Sequence, residues 1–174
     1  IRLAARGAAS MGVNYIKAGL SGLRKPAEAI KLMKNVVKAV KNFNSQTKVV
    51  ITGYADFEKI DSINPLLVPN IASKTHADVA MIDTAIKNGK SLFYHLNKKQ
   101  ISYFVKISHK LKLISALAGS LKIGDLATVY TSGTDIIGMR GAACTFEDRL
   151  KGKITRKNVR HIVTSLTNIK KQYN

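Results

Sequence analysis

Tryptophan is absent from the 174-residue sequence, cysteine occurs once and proline three times. A single thiol, Cys144, can neither close an internal disulfide nor anchor a zinc cluster. That excludes the disulfide-stapled secreted class and favours a reducing, cytoplasmic location. Long apolar runs are missing as well. The longest stretch of apolar and small residues, between Lys112 and Lys122, is about half of what a bilayer span needs, so no membrane partner is expected. The opening residues, Ile1 to Gly12, lack the charged-then-apolar order of a signal peptide and have the spacing of a helix already under way. The histidines, His76, His95, His109 and His161, show no metal-ligand spacing, and no strand is followed by a glycine-rich dinucleotide fingerprint. Neither a metal nor another cofactor is expected.

Acidic residues are also scarce. Ten Asp and Glu face 29 Lys and Arg, a formal charge of +19. Such an excess invites a polyanion, and nucleic-acid binding is the rival reading from another functional class. After Asp148 no acid follows, whereas Arg149, Lys151, Lys153, Arg156, Lys157 and Arg160 crowd together. Aromatics that could stack on bases are few among these lysines, however. A solvated, lysine-rich surface with attraction for phosphorylated small molecules is the better account.

What is present is a foldable composition, 45% apolar and 22% charged, with a length suited to one domain. Residues 1 to 10 place Ile1, Ala4, Ala5, Ala8 and Ala9 on one side of a helix. Val13 to Ala18 then reads as a strand, followed by a Gly-Ser loop and a helix from Pro26 to Lys41 that carries Ile30, Met33, Val37 and Val40. The pattern repeats. Strands are predicted at Val49 to Thr52, Val79 to Asp83, Leu113 to Ala118 and Thr134 to Met139. The helices between them run from about Pro69 to Lys74, after an Asn97 cap with Ile101, Phe104, Val105 and His109 inward, and around Asp125 to Tyr130. Thr155 caps a last helix with Val159, Ile162, Val163, Leu166 and Ile169 on its apolar face.

Strand starts fall roughly 20 to 35 residues apart, the size of one βα unit. The strands are nearly continuous apolar runs, which predicts burial on both faces of a parallel sheet and places the chain in the α/β class. A doubly wound sheet and an eight-fold barrel both fit this pattern.

In such folds chemistry collects at strand ends. Lys17 lies near the end of the first strand, where desolvation is the usual means of obtaining a neutral amine for base or imine chemistry. A structural, paired or snorkelling lysine would look the same. Asp83 ends the third strand and Lys87 follows four residues on, either as a proton-shuttling couple or as a plain ion pair. Gly119-Ser120, and Gly138 with Arg140 and Gly141, close the last two strands. Their small residues let backbone N–H groups approach a phosphate and Arg140 adds a donor fork, although glycine there is also ordinary turn chemistry. Asp56 reads equally well as a turn residue, and Cys144 as a small packed hydrophobe.

These segments, Tyr15-Ile16-Lys17-Ala18-Gly19-Leu20, Gly53-Tyr54-Ala55-Asp56, Ala77 to Lys87, Ala116 to Leu121 and Arg140-Gly141-Ala142-Ala143-Cys144, with Leu32 to Val37, resemble the (5-formylfuran-3-yl)methyl phosphate synthase family of methanofuran biosynthesis. The resemblance runs from about residue 3 to residue 163. It implies a (β/α)8 barrel in which an aldolase-like lysine imine joins two molecules of glyceraldehyde 3-phosphate and eliminates phosphate and water, a lyase reaction. It also implies that Lys17 is the base and that Asp83 and Lys87 share its cluster. The family's imine lysine lies on an earlier strand, in a segment like Asp-Val-Lys-Asn-Pro that has no match here. Residues 1–174 are therefore expected to form one partial barrel of about five C-terminal βα units, with exposed edges that favour a homo-oligomer. A noncatalytic phosphate-sugar binder is the other alternative. Phe146 and Glu147 stand where the family tends to have glycines, and are expected to crowd and repel an anion.

Overall fold

The computed structural model describes residues 1–173. Its centre is a five-stranded parallel sheet in the order β1-β2-β3-β4-β5, formed by β1 (Tyr15–Gly19), β2 (Lys48–Tyr54), β3 (Val79–Asp83), β4 (Ile114–Ala118) and β5 (Ile136–Gly138). Because sequence order and spatial order coincide, every crossover runs the same way. Right-handed crossovers then put all the helices on one side. This singly wound order excludes the doubly wound alternative, whose strand order reverses at a switch point.

The helices are α1 (Arg2–Ser10), α2 (Pro26–Phe43), α3 (Val68–Thr75), α4 (Leu92–His95), α5 (Lys98–Lys110), α6 (Leu126–Thr131) and α7 (Arg156–Tyr173). Proline opens α2, Glu28 sits in its first turn and Lys41 in its last, both favourable to the helix dipole. Its buried stripe is Ala29, Met33, Val36, Val37 and Val40. Asn97 and Gln100 form a reciprocal capping box at α5, each side chain accepting from the other's backbone N–H at 2.9 Å. Thr155 Oγ1 accepts from Asn158 N at 3.2 Å at the start of α7.

The sheet differs from expectation in its two faces. Ile16, Ala18, Val49, Ile51, Ala80, Ile82 and Leu117 pack into the main core under the helices. The opposite face holds only a small cluster, Val50, Val79 and Ala116, with Met81, Ile114 and Ile136 partly buried, while Tyr15 and Lys17 stand in solvent. One-sided helix packing is the reason. Other departures are local. The fifth strand is shorter than predicted, pairing with β4 only at Ile136, Ile137 and Gly138, and α4 was not foreseen. On α5 the inward residue is Ser108, while His109 turns out toward Asp135. No residue of α7 is fully buried, and Val159 and Val163 are exposed, because the helix rests mainly on α6 and the Gly141–Ala143 turn. Among the described residues no helix is long and apolar enough to cross a membrane.

At the N-terminal ends of the strands two aspartates act as latches. Asp78, just before β3, accepts the N–H of Val49 at 2.7 Å and the ammonium of Lys41 at 2.9 Å. Asp135, just before β5, accepts from Ser115 N and Ser115 Oγ, both at 2.7 Å, with His109 Nε2 at 2.8 Å. Burial pushes the Asp135 carboxyl up, but the Ser115 and His109 hydrogen bonds outweigh it and hold it below the ordinary range. Each latch ties a strand start to the strand before it.

Asp78→Ala would leave the N–H of the fully buried Val49 without its acceptor. The expected loss is about 2 kcal/mol of unfolding free energy, read as a lower urea midpoint at unchanged slope. A loss under about 0.5 kcal/mol, the range of a neutral surface change, would dismiss the latch.

Candidate active site

The C-terminal ends of β1 and β3 bring together two residues that lie 66 positions apart. Lys17 Nζ donates to Asp83 Oδ2 at 2.6 Å, and Lys87 Nζ donates to Asp83 Oδ1 at 3.0 Å. Asp83 Oδ1 also accepts Thr84 N at 2.8 Å. Lys87 further donates to the Thr84 carbonyl, and to Thr84 Oγ1 at 3.3 Å. One carboxylate thus serves two amino groups. Its side chain is only 15% exposed, against 42% for Lys17. Burial pushes the Asp83 carboxyl up, yet hydrogen bonds and charge from Lys17 and Lys87 outweigh this and hold it below the usual carboxylate range. Asp83 is accordingly an anion at neutral pH.

Lys87 reaches this point because its loop is clamped. Asp56, almost wholly buried, accepts the backbone N–H groups of Ala85 and Ile86, each at 2.8 Å. It is therefore more than the turn residue that the sequence allows. Tyr54, register partner of Asp83, swings over β1, where a Cβ on Gly19 would lie 2.1 Å from its Oη. A larger residue at this position would displace the Tyr54 ring. Burial and the carboxylates of Asp83 and Asp56 raise the Tyr54 phenol above its ordinary range. Sequence reasoning did not single out Tyr54. Its strand-end position, two residues before Asp56, was the available signal.

Beside the cluster lies an open cleft of about 620 Å³. Asp83 and Lys87 line it, as do Gly119, Ser120, Gly138, Arg140 and Gly141, so every predicted site residue except Lys17 borders this space. Lys17 joins it through Asp83. Gly119 has φ +116°, and a Cβ there would approach Thr84 N to 3.0 Å, so this turn can press against the Asp83–Thr84 backbone only as glycine. The expected obstruction by Phe146 does not occur. Its ring is 91% exposed and outside the cleft wall, because the residue adopts a left-handed turn at φ 58°. Glu147 does line the cleft, and so do Lys122 and Arg149, which in the sequence read only as parts of the basic excess. Among the described residues no three His, Cys, Asp or Glu side chains gather where a metal ion could sit.

The family model described as 4-HFC-P synthase matches residues 1–163. A protein from Streptomyces griseus is 50% identical over 151 residues, which is 87% of this chain and 60% of its own length. The (5-formylfuran-3-yl)methyl phosphate synthase of Methanococcus maripaludis is 46% identical over 94% of this chain and 69% of its own length. That of Methanocaldococcus jannaschii is 47% identical over 93% and 69%. The chain thus spans three-fifths to about two-thirds of the curated relatives it matches. Among solved structures, thiamine phosphate pyrophosphorylase from Pyrococcus furiosus aligns over 97% of this chain and 90% of its own at 12% identity, with a TM-score of 0.44.

Two outcomes are expected from this geometry. Because the folded Asp83 value is depressed, its contribution to stability is whole above the ordinary aspartate value of about 3.9 and fades as pH falls through the folded value. The stability gap between the natural protein and Asp83→Asn should therefore stay level from pH 7 to about 4 and close below that. Urea midpoints across this range provide the test, and a gap independent of pH would refute the ion-pair account. In Asp56→Ala the amides of Ala85 and Ile86 should exchange with solvent at least about tenfold faster, consistent with loss of charge-assisted bonds. Unchanged exchange rates would show that the loop holds itself.

Proposed function

The chain belongs to the 4-HFC-P synthase family, and from that premise we propose that it carries the C-terminal part of a (5-formylfuran-3-yl)methyl phosphate synthase acting in methanofuran biosynthesis. The reaction joins two molecules of glyceraldehyde 3-phosphate and releases phosphate and water. The observation that carries this reading is the pair of amino groups on one buried carboxylate, Lys17 and Lys87 on Asp83, opening toward a cleft walled by glycine turns and arginine. Carbon–carbon bond formation between two aldehydes needs a base for the proton beside a carbonyl or imine, and a donor for departing oxygen.

In this mechanism one triose phosphate is held as an imine on a lysine that lies outside this chain, on an earlier strand of a (β/α)8 barrel. Lys17, in its uncharged form, removes the proton that generates the carbon nucleophile. Asp83 orients Lys17 and stabilises the ammonium so formed, which then gives its proton to water to restore the amine. Lys87, the better buried amine and the one bordering the cleft, donates to the oxygen that leaves. The turns at Gly119-Ser120 and Gly138-Arg140-Gly141 take a substrate phosphate through backbone N–H groups and the Arg140 fork. The singly wound strand order and the one-sided helices support the barrel. In that architecture the uncovered face of the sheet, with Met81, Ile114 and Ile136, becomes interior.

The full-length protein should convert glyceraldehyde 3-phosphate to the furan aldehyde phosphate. Lys17→Ala should lower turnover by about 100-fold or more, while borohydride still traps an imine on a lysine outside residues 1–174. Unimpaired turnover would reject Lys17 as the base, and borohydride labelling of Lys17 would make it the imine former instead.

A further inference from the structure

The segment after the Gly141–Ala143 turn is a built loop. Cys144 and Ile154 form an antiparallel bridge, Thr145 N donates to Lys153 O at 2.9 Å, and Thr155 N donates to Ala143 O at 3.0 Å. Asn158 Nδ2 fastens it to α7 through Cys144 O at 2.8 Å. Within the closed loop Asp148 is committed to the turn that follows, its Oδ1 accepting Leu150 N at 2.7 Å and Lys151 N at 3.2 Å. Gly152 has to be glycine, because a Cβ there would lie 2.2 Å from Thr145 O. Arg149, which follows the two acids Glu147 and Asp148, is the cation this loop brings to the cleft wall.

Arg149 is half-buried, whereas Arg140 is exposed. Its Nε is shut away from solvent with no hydrogen-bond partner, and no described carboxylate pairs with its guanidinium. The protein therefore holds a guanidinium in a partly dehydrated wall, and among the described residues none supplies an acceptor for it. That is costly in isolation and favourable when an anion arrives, since a charge-assisted bond strengthens as water is excluded. A planar fork suits a phosphate monoester with two parallel donors.

We propose that Arg149 is a phosphate-binding residue of the cleft, which receives the phosphate of a bound triose phosphate by turning its guanidinium from the wall onto the anion. This adds a second guanidinium to the one on Arg140, in a cleft that must accommodate phosphorylated reactants. The inference rests on the functional reading for the identity of the phosphate's carrier, not for the binding itself.

The test uses inorganic phosphate as the probe and isothermal titration as the readout. Arg149→Gln should weaken phosphate binding about tenfold, the worth of one charge-assisted contact. Arg149→Lys should recover only part of it, because the charge returns without the fork. Equal affinity in the natural protein and Arg149→Gln, with equal melting temperatures, would overturn the proposal. Should Arg149→Gln fold poorly, the unsubstituted protein gives the answer: phosphate should slow phenylglyoxal modification at Arg149, mapped by mass spectrometry, and not at Arg2 in the distant groove between α1 and α2. Equal modification of Arg149 with and without phosphate would likewise overturn it. Lys17→Ala separates this inference from the reaction, because it should lower turnover by about 100-fold or more and leave phosphate affinity within about twofold. Absence of turnover in the natural protein alongside intact, Arg149-dependent phosphate binding would sink the proposed reaction and support the binding residue.

Discussion

The carboxylate of Asp83 is the constraint on which the upper end of the molecule depends. It lies at the last position of β3, where the backbone is still held by the sheet and the side chain has almost left it. Burying an isolated anion there would be expensive. Two ammonium groups and the N–H of Thr84 offset the cost, and in doing so they are brought to one point. The carbonyl of the same residue accepts Ala55 N at 2.7 Å, which joins the end of β2 to the cluster. Removing the carboxylate would therefore strand two cations and also loosen the loop that follows.

Aspartate recurs in this chain with opposite assignments at the two ends of the strands. Asp78 and Asp135, at the N-terminal ends, accept backbone N–H groups of the neighbouring strand and stitch the sheet together. Asp56, at the C-terminal end, accepts backbone N–H groups of a loop instead, and Asp83 accepts side-chain amines. The residue type is the same. The difference lies in what the parallel sheet presents at each end. At one end are strand starts whose N–H groups need partners, and at the other are loops free to carry chemistry.

Much of this was legible along the chain. The strand–loop–helix rhythm, the Asn97 and Thr155 caps and the proline start of α2 are local features, and local features survive into the structure. Asp83 and Lys87 are four residues apart, so their pairing needed little more than a turn. The errors have a common origin. Continuous apolar strands suggested cover on both faces, but Val50, Val79 and Ala116 form only a small cluster on a face without helices. The apolar face of α7 was visible as a period, yet nothing in the period says that little more than α6 and one short turn lies beneath it. Phe146 looked like an obstruction because a sequence position does not reveal a left-handed turn that points the ring to solvent.

What the sequence by itself determined is the class of structure and the residue types available for chemistry, because hydrophobic period, capping and strand-end polarity act over a few residues. Tertiary structure alone decided which of those residues meet. Lys17 finds Asp83 across an intervening strand, since parallel register carries both to the same edge of the sheet. Asp56 acquires its role only when the loop after β3 folds over it. Arg149 passes from one basic residue among many to a guanidinium facing the cleft because a bridge between Cys144 and Ile154 closes the loop beneath it. Such meetings depend on chain closure over tens of residues, and no local pattern encodes the distance between two ends of a loop.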